Sequence, residues 1–552
     1  MIAWSVDPQI AERQMQAVIF CLVAFGYIDA DFDRRERRFV EGHVDALVAD
    51  RARGIDDPQA RAGVVATWTK HYREVLEEMD RDIQCHFTES VAAGESQHDF
   101  VVAKLKLGAY ELLQRFSPVD QRAMLTVIDA LMLADGQIHP NEQAFRDDLA
   151  ELLQAPIACV DADGTKVEEG RVAHSDPAQL VPVVPVVDPL RPLEWDFADD
   201  PETFAAQASA DMDLIARVRS LLEAQRVQGR GRLEKAGSFG AFSDESAFLD
   251  GHVYVLPSHP ARAVELLVIG DLHGCYSCLK AALMQTDFFG RVARYREAPD
   301  RHPVPYLVTL GDYIDRGRFS YAGTLRAVLQ LYESYPDHVF MLRGNHEYYV
   351  EIKGVVMAPV RPSEAMDSIK SRAPKRVLQA YKDLFEAMPN SLVFDQTMYV
   401  HAGIPRDATL EKKWRGIHSL NDPEIRFEMM WSDPSEADVI PDALQKENAR
   451  FPFGRHQFRR FMQTIGCRHM VRGHERVRAG FKRHDTGDEA TLATVFSAGG
   501  ATNRDLPARS SYREVTPMAL QVAYADGIST FTPFEIDYAR FNDPSLNGFF
   551  AS

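Results

Sequence analysis

Residues 264–274 read VELLVIGDLHG: a short apolar run closed by Gly270, then Asp271 and His273 in a D-x-H spacing ahead of Gly274. Apolar runs of this length, rich in branched residues and bounded by glycine, read as buried strands. Two side chains of metal-ligand type therefore stand at a strand's carboxyl end. The same grammar recurs downstream. YLVTL runs into Gly311-Asp312-Tyr313-Ile314-Asp315-Arg316-Gly317, HVFMLR into Gly344-Asn345-His346-Glu347, TMYV into His401-Ala402-Gly403, and CRHMV into Arg472-Gly473-His474. Further β-rich runs lie at HVYVL, SLVF, TLATVFS and ALQVAYA, with the helical stretches YSCLKAALMQTDFF and YAGTLRAVLQLYESY separating the first few. Alternation of this kind predicts a layered α/β region from about residue 250 onward, with reactive groups beyond the strand ends.

Carboxylate, amide and imidazole donors in this combination suit Mn²⁺, Fe or Zn²⁺. Two-metal hydrolytic centres hold their ions about 3.5–4 Å apart. Glycines beside the ligands let the loops approach without Cβ clashes. A single strand-end Asp or His is more often a turn former or surface residue; five glycine-flanked elements in this order are hard to obtain by accident.

GDLHG, GDYIDRG, RGNHE, HAG and RGH, together with WSDP at 431–434 and FSAGG at 496–500, resemble the PPP family of serine/threonine phosphatases over about residues 250–525. GDLHGCYSCL is similar to its bacterial and phage branch. The resemblance implies an α/β fold, a calcineurin-like metallophosphoesterase β-sandwich flanked by helices. The implied activity is hydrolysis of phosphoserine and phosphothreonine esters in proteins, with phosphotyrosine as a further substrate. Carried over position by position, it implies that Asp271 and His273 hold one metal, that Asn345, His401 and His474 hold the other, and that Asp312 bridges them. The two divalent ions are expected to be Mn²⁺, with Fe or Zn²⁺ as alternatives. A hydroxide between them is the implied nucleophile, and His346, oriented by Asp315, the implied acid for the leaving group. Arg316, Asn345 and Arg450 are the implied phosphate contacts, since a guanidinium fork matches phosphate oxygens. Arg450 stands in ENARFPFG, shorter than the family's usual segment. Arg343 and Arg472 flank ligands and serve either potential or salt bridges.

Departures from the family matter too. HAG replaces the more familiar HGG. SAGG stands where eukaryotic members carry a tyrosine-bearing SAPNY, so the tyrosine that would approach the phosphate is missing there. The segment 348–396 reads as helical and is expected to cap the site. Two competing readings are a dinucleoside polyphosphate hydrolase and a stress-response interaction scaffold. Asp315 and Glu347 favour the phosphatase, because the dinucleotide enzymes tend to depart from DRG and carry Asp after GNH.

Upstream, residues 1–155 read as helical, with apolar positions at three and four spacings in QMQAVIFCLVAFGYI, RRFVEGHVDALVA, VVAKLKLGAYELLQRF and QRAMLTVIDALMLADG. Ala24-Phe25-Gly26-Tyr27-Ile28 lines up with Ala134-Asp135-Gly136-Gln137-Ile138, each between an apolar helix and an acidic helix start near Glu36 and Glu142. This pseudo-repeat resembles the tellurite-resistance TerB-like helical domain, and a protein partner for it stays open. Asp29, Asp31 and Asp33 invite a calcium reading. An EF-hand loop needs Gly and Glu where Arg34 and Val40 stand, so a helix-capping turn is the plainer one. Residues 156–249 read as a Pro/Val-rich linker or strap followed by a helix from Pro201 to Gln228 and a loop.

A 552-residue chain with 45% hydrophobic and 26% charged residues needs two or more cores. A formal charge of −19 disfavours nucleic acid as partner, and the absence of a long apolar run or basic leader predicts no membrane association and a cytoplasmic address. Cys21, Cys85, Cys159, Cys275, Cys278 and Cys467 are too dispersed for a disulfide framework. Cys275 and Cys278 read as packing in the first turns of a helix rather than as a redox pair.

Overall fold

The computed structural model describes residues 4–5, 7–29, 32–89, 91–92, 94–134, 138–154, 171–183, 188–242, 246–487 and 490–551. The chain divides into two compact units, 1–161 with 446–448, and 162–445 with 449–552.

The first unit carries the helices Pro8–Gly26, Arg34–Arg51, Pro58–His86, Gln97–Leu113, Pro118–Met132 and Pro140–Gln154. Their starts follow from the sequence: Asp7, Asp33, Asp57, Ser96 and Ser117 each cap the free N–H groups of the first turn. Asp33 forms a full capping box, its own N–H donating to Glu36 Oε2 at 2.9 Å. Capping thus accounts for this aspartate of the D-x-D-x-D run; Asp31 lies outside the described residues, as do Asp135, Gly136 and Gln137 of the second copy. Val40, Val44 and Val48 form the buried stripe of the second helix, one turn apart.

In the second unit two sheets face each other. One has the spatial order Arg171–His174, Ile528–Glu535, Met518–Ala525, Val264–Ile269, Val304–Thr309, Val339–Met341; the other runs Phe481–His484, Leu492–Val495, His469–Arg472, Thr397–Val400, Ser391–Phe394, Val253–Leu256, Phe248–Asp250. Val264–Ile269, Val304–Thr309 and Val339–Met341 are parallel neighbours, with Ile269 opposite Thr309 and Thr309 opposite Met341. That register brings their carboxyl ends level. It is what sets the Asp271, Asp312 and Asn345 loops side by side.

The second sheet is buried on both faces, and its side chains alternate between two cores. Tyr254, Leu256, Leu392, Phe394, Tyr399 and Val471 join the core shared with the first sheet. Val253, Val255, Val393, Met398, Val400 and Met470 join a separate core with Phe458, Phe461 and Met462 of the helix Arg455–Ile465. Period-two alternation between two apolar environments is why these strands read as continuous apolar runs. The helix Pro201–Gly229 packs on the edge strand Phe248–Asp250, where a Cβ on Gly229 would fall 2.1 Å from Leu249 O.

Two segments differ from the sequence reading. Within the supposed linker, Arg171–His174 forms an edge strand parallel to Ile528–Glu535; four residues are too few to show periodicity, and the pairing is supplied by a strand far along the chain. The supposed helical cap opens instead with a hairpin, Val350–Ile352 and Val355–Met357, turning at Lys353 and Gly354, both of positive φ. Helices Glu364–Ile369 and Lys375–Ala387 and the strand Ser391–Phe394 follow.

Candidate active site

Each ligand-type residue sits just past a strand. Asp271 and His273 follow Val264–Ile269, Asp312 follows Val304–Thr309, Asn345 and His346 follow Val339–Met341, His401 follows Thr397–Val400, and His474 follows His469–Arg472. All are buried. The turns that aim them are tight: His273, Asp312 and His474 take φ of 42°, 52° and 68°, with Asp315 and Arg316 at 69° and 67°. Left-handed backbone at non-glycine residues costs on the order of 1–3 kcal/mol each and concentrates at functional sites. Close approach explains the glycines. A Cβ on Gly344 would lie 2.2 Å from Asp312 Oδ1, and one on Gly473 would lie 2.2 Å from Asp271 Oδ1.

The donor atoms converge in two groups that share Asp312. Asn345 Oδ1 lies 2.9 Å from His401 Nε2, 3.2 Å from His474 Nδ1 and 3.2 Å from each carboxylate oxygen of Asp312. His401 Nε2 is 3.2 Å from His474 Nδ1 and 3.4 Å from Asp312 Oδ1. On the other side His273 Nε2 is 3.7 Å from Asp271 Oδ2 and 3.4 Å from Asp312 Oδ2. Metal–ligand bonds of about 2.1 Å put adjacent ligand atoms about 3 Å apart, so these separations match the edges of a coordination shell.

Hydrogen bonding fits the same purpose. His401 Nδ1 is 2.9 Å from Leu310 O and His273 Nδ1 is 2.9 Å from Ile314 O. Each ring therefore carries its proton on Nδ1 and presents a bare Nε2 to the centre, the arrangement in which a backbone carbonyl orients a metal-binding imidazole. Asn345 turns its oxygen toward acceptors; the reversed amide would donate to Asp312, His401 and His474. Asp271 Oδ2 is buried without a hydrogen bond. Acceptors facing acceptors in a dry site are repulsive unless a cation lies among them. The residues thus fit two divalent ions. Burial pushes the Asp271 carboxyl up to about 7 and Asp312, with Asp271 beside it, well above the carboxylate range. Burial also holds His273, His346, His401 and His474 well below the usual imidazole range, leaving their nitrogens free of extra protons.

His346 stands apart from that pattern. Its Nδ1 is 2.6 Å from Asp315 Oδ2, while its Nε2 is 3.9 Å from Asp312 Oδ2. His273, Asp312 and His346 do form a group that could share an ion. The short bond to a carboxylate instead makes His346 an oriented imidazole at the rim of the centre. Asp315 is itself held by the N–H of Ala365, which donates to Oδ1 at 2.8 Å, and burial pushes its carboxyl up to about 6.

Of the four arginines, two border the centre and two are built into the frame. Arg316 donates to Glu364 Oε2 at 2.7 Å and to Pro362 O at 3.0 Å, and its charge lowers the basicity of His273 and His346. Arg450 donates to Asp433 Oδ2 at 2.5 Å, and its charge acts on Asp271, His346 and His474. Arg472 is fully buried, donating to Asp433 Oδ1 at 2.7 Å and to Ala402 O. Arg343 donates to Glu347 O at 2.8 Å and to Glu386. The salt-bridge alternative therefore describes Arg343 and Arg472.

The structural roles of three residues at the site escape a motif reading. Glu347 accepts from the N–H groups of Asp312 at 2.7 Å, Tyr313 at 2.9 Å and Gly344 at 3.1 Å, fixing two ligand loops with one carboxylate. GNHE displays it, but nothing local says that it points back at the DRG loop. Asp433 spaces Arg450 from Arg472; WSDP held that signal. Tyr512, in the turn Ser511–Glu514, packs its ring 5.3 Å from His273 and 5.3 Å from Phe496. No motif announces it. Cys275 and Cys278 are buried, with Asn503 Nδ2 3.4 Å from Cys278 Sγ, and burial pushes the Cys275 thiol up. Cys21, Cys85 and Cys467 are also free thiols; Cys159 lies outside the described residues.

Residues 264–477 match the family model of calcineurin-like phosphoesterases, and this part of the chain has that fold behind a helical N-terminal region. Among curated proteins, a probable serine/threonine-protein phosphatase of Encephalitozoon cuniculi is 27% identical over 247 residues, 44% of this chain and 48% of that protein. The chain thus spans about half the length of this relative. Among solved structures, a Saccharomyces cerevisiae protein serine/threonine phosphatase with similarity to human phosphatase PP5 superposes at a TM-score of 0.39 and 17% identity, covering 59% of this chain and 90% of that one. A purple acid phosphatase from yellow lupin gives 0.24 and 10% over 52% of this chain and 57% of the other. Both superpositions are loose.

Proposed function

We propose that the chain is a phosphoric monoester hydrolase of the phosphoprotein phosphatase type, acting on phosphoserine and phosphothreonine with the help of two divalent cations. The observation that carries this reading is the placement of Asp312 between two donor groups, His273 with Asp271 and Asn345 with His401 and His474, beside a separately oriented His346. When bound, the ions would acidify water and draw charge from the phosphoryl oxygens. The chain supplies the rest. Asp312 would join the two cation sites, and Glu347 keeps its loop from relaxing. Arg316 and Arg450, each tethered to a carboxylate, present positive charge to an incoming phosphate dianion. His346 would act as the acid only after its neutral ring takes up a proton from water at Nε2; that proton then passes to the departing serine or threonine oxygen, while Asp315 at Nδ1 holds the ring and offsets the transient imidazolium charge. The buried rings of Phe496 and Trp431 lie 6.2 Å from His273 and 6.1 Å from His474 respectively, giving these charges an apolar flank.

Asp315 and Glu347 also support this reading over dinucleoside polyphosphate hydrolysis, because the dinucleotide enzymes tend to depart from DRG and to carry Asp after GNH. The deciding experiment is a substrate panel on the full chain with Mn²⁺: phosphoserine, phosphothreonine and phosphotyrosine peptides against dinucleoside polyphosphates. Turnover of the first two peptides is expected to dominate. Preference for the dinucleotides would transfer the assignment to that branch, and a metal-replete protein that cleaves none of them would end it. A TerB-like partner-binding role for residues 1–155 is a separate proposal, supported by the pseudo-repeat alone.

A further inference from the structure

Tyr512 is a polar side chain at the centre that no step above uses. Its ring lies against His273, tilted at 52°, and edge-on to Phe496. Its hydroxyl is close enough to Asp271, Asp312 and Arg316 for each to bear on it electrostatically, yet it makes no hydrogen bond to a described residue. A half-buried phenol packed on His273, its hydroxyl in the field of Arg316, Asp271 and Asp312 and not bonded within the described protein, is a donor open to a ligand.

The loop that carries it is held far more firmly than a surface connection needs. Arg513 donates to three backbone carbonyls, Pro507 O at 2.9 Å, Ala501 O at 2.8 Å and Leu506 O at 2.6 Å. Arg476 donates to Ser511 O at 3.3 Å, Thr516 N–H to Arg478 O at 2.8 Å, and Gly500 N–H to Val515 O at 2.9 Å. Tyr512 N–H itself donates to Ser510 Oγ at 3.3 Å. Fixing one turn by so many bonds fixes the tyrosine it presents, and a preplaced donor loses little entropy when a ligand arrives.

We propose that Tyr512 is a substrate-contacting residue, its hydroxyl donating a hydrogen bond to a phosphoryl oxygen held next to Arg316, with the ring forming the wall beside His273. This rests on the phosphoester reading of the same site. An anion there meets a guanidinium on one flank and a neutral donor on the other; the phenol adds directional recognition without adding charge.

The test uses the full, metal-replete chain and Tyr512→Phe, which keeps the ring and removes only the hydroxyl. Calorimetry with inorganic phosphate should show binding at least about tenfold weaker than wild type, and KM for p-nitrophenyl phosphate should rise in step, with metal content unchanged. Arg513→Ala, which keeps the hydroxyl but loosens its turn, should weaken phosphate in the same direction. Phosphate affinity within about twofold of wild type in both variants, or a loss that tracks lost metal, overturns the proposal. Wild-type protein without esterase activity would instead remove the site reading beneath it, and that control is read before any variant.

Discussion

One carboxylate decides most of the local chemistry. Asp312 accepts the N–H of His346 at 3.0 Å, faces His273 and His401 at 3.4 Å each, and borrows its loop conformation from Glu347. Asp312→Asn should therefore lower both metal content and kcat/KM by orders of magnitude, as read by metal analysis and kinetics on the same preparation; full activity would refute the bridging role. His346→Asn should separate the two effects, keeping the metals while kcat falls about 10²–10⁴-fold. Glu347 spends both carboxylate oxygens on backbone N–H groups. Its replacement by Gln keeps one acceptor oxygen and sets an NH2 group either against the N–H groups of Asp312 and Gly344 or against that of Tyr313, so a loss of about 1–3 kcal/mol in stability is expected with activity falling alongside. An unchanged denaturation midpoint would show that the loops hold themselves.

At the scale of elements, capping and alternation do the arranging. Asp33 and Glu36 start their helix as a reciprocal pair, but Glu36 is buried near Asp29 and Glu142. Burial, aided by those neighbours, pushes its carboxyl up from 4.5 to about 8. The folded form then binds the proton more tightly than the unfolded chain, so stability is full below about 4.5 and drains as pH rises toward about 8. Glu36→Gln keeps the capping bond and abolishes the titration. Melting curves of the variant should lie above wild type at pH 8–9 and converge with it near pH 4; a constant offset across pH would exclude this cause. Among the strands, Leu392 and Val393 show the same logic by facing different cores. The hairpin at 350–357 exposes Ile352 and Val355, so its apolar residues do not report a core-facing helix, and a pattern reading assigned them wrongly.

Across the whole molecule, the buried carboxylates and imidazoles of the centre are spread over five strand ends of one domain, and the repulsion among them is a cost borne by the fold. Chelation should lower the melting temperature by a few degrees or more and abolish turnover, with Mn²⁺ restoring both. A chelated sample that melts like the loaded one would argue against resident cations. Among the described residues no helix is long and apolar enough to cross a membrane. The five strand ends with ligand-type side chains, the helical N-terminal region and the helix from Pro201 were all legible in the chain, because apolar runs, caps and glycine-flanked loops are written in neighbouring residues. Depth of burial, the tautomers set by Leu310 O and Ile314 O, the clamp of Glu347, the edge strand at 171–174 and the arrival of Tyr512 beside His273 were decided only by tertiary structure. Each joins groups tens or hundreds of residues apart, and one-dimensional periodicity carries no record of which distant atoms will share a space.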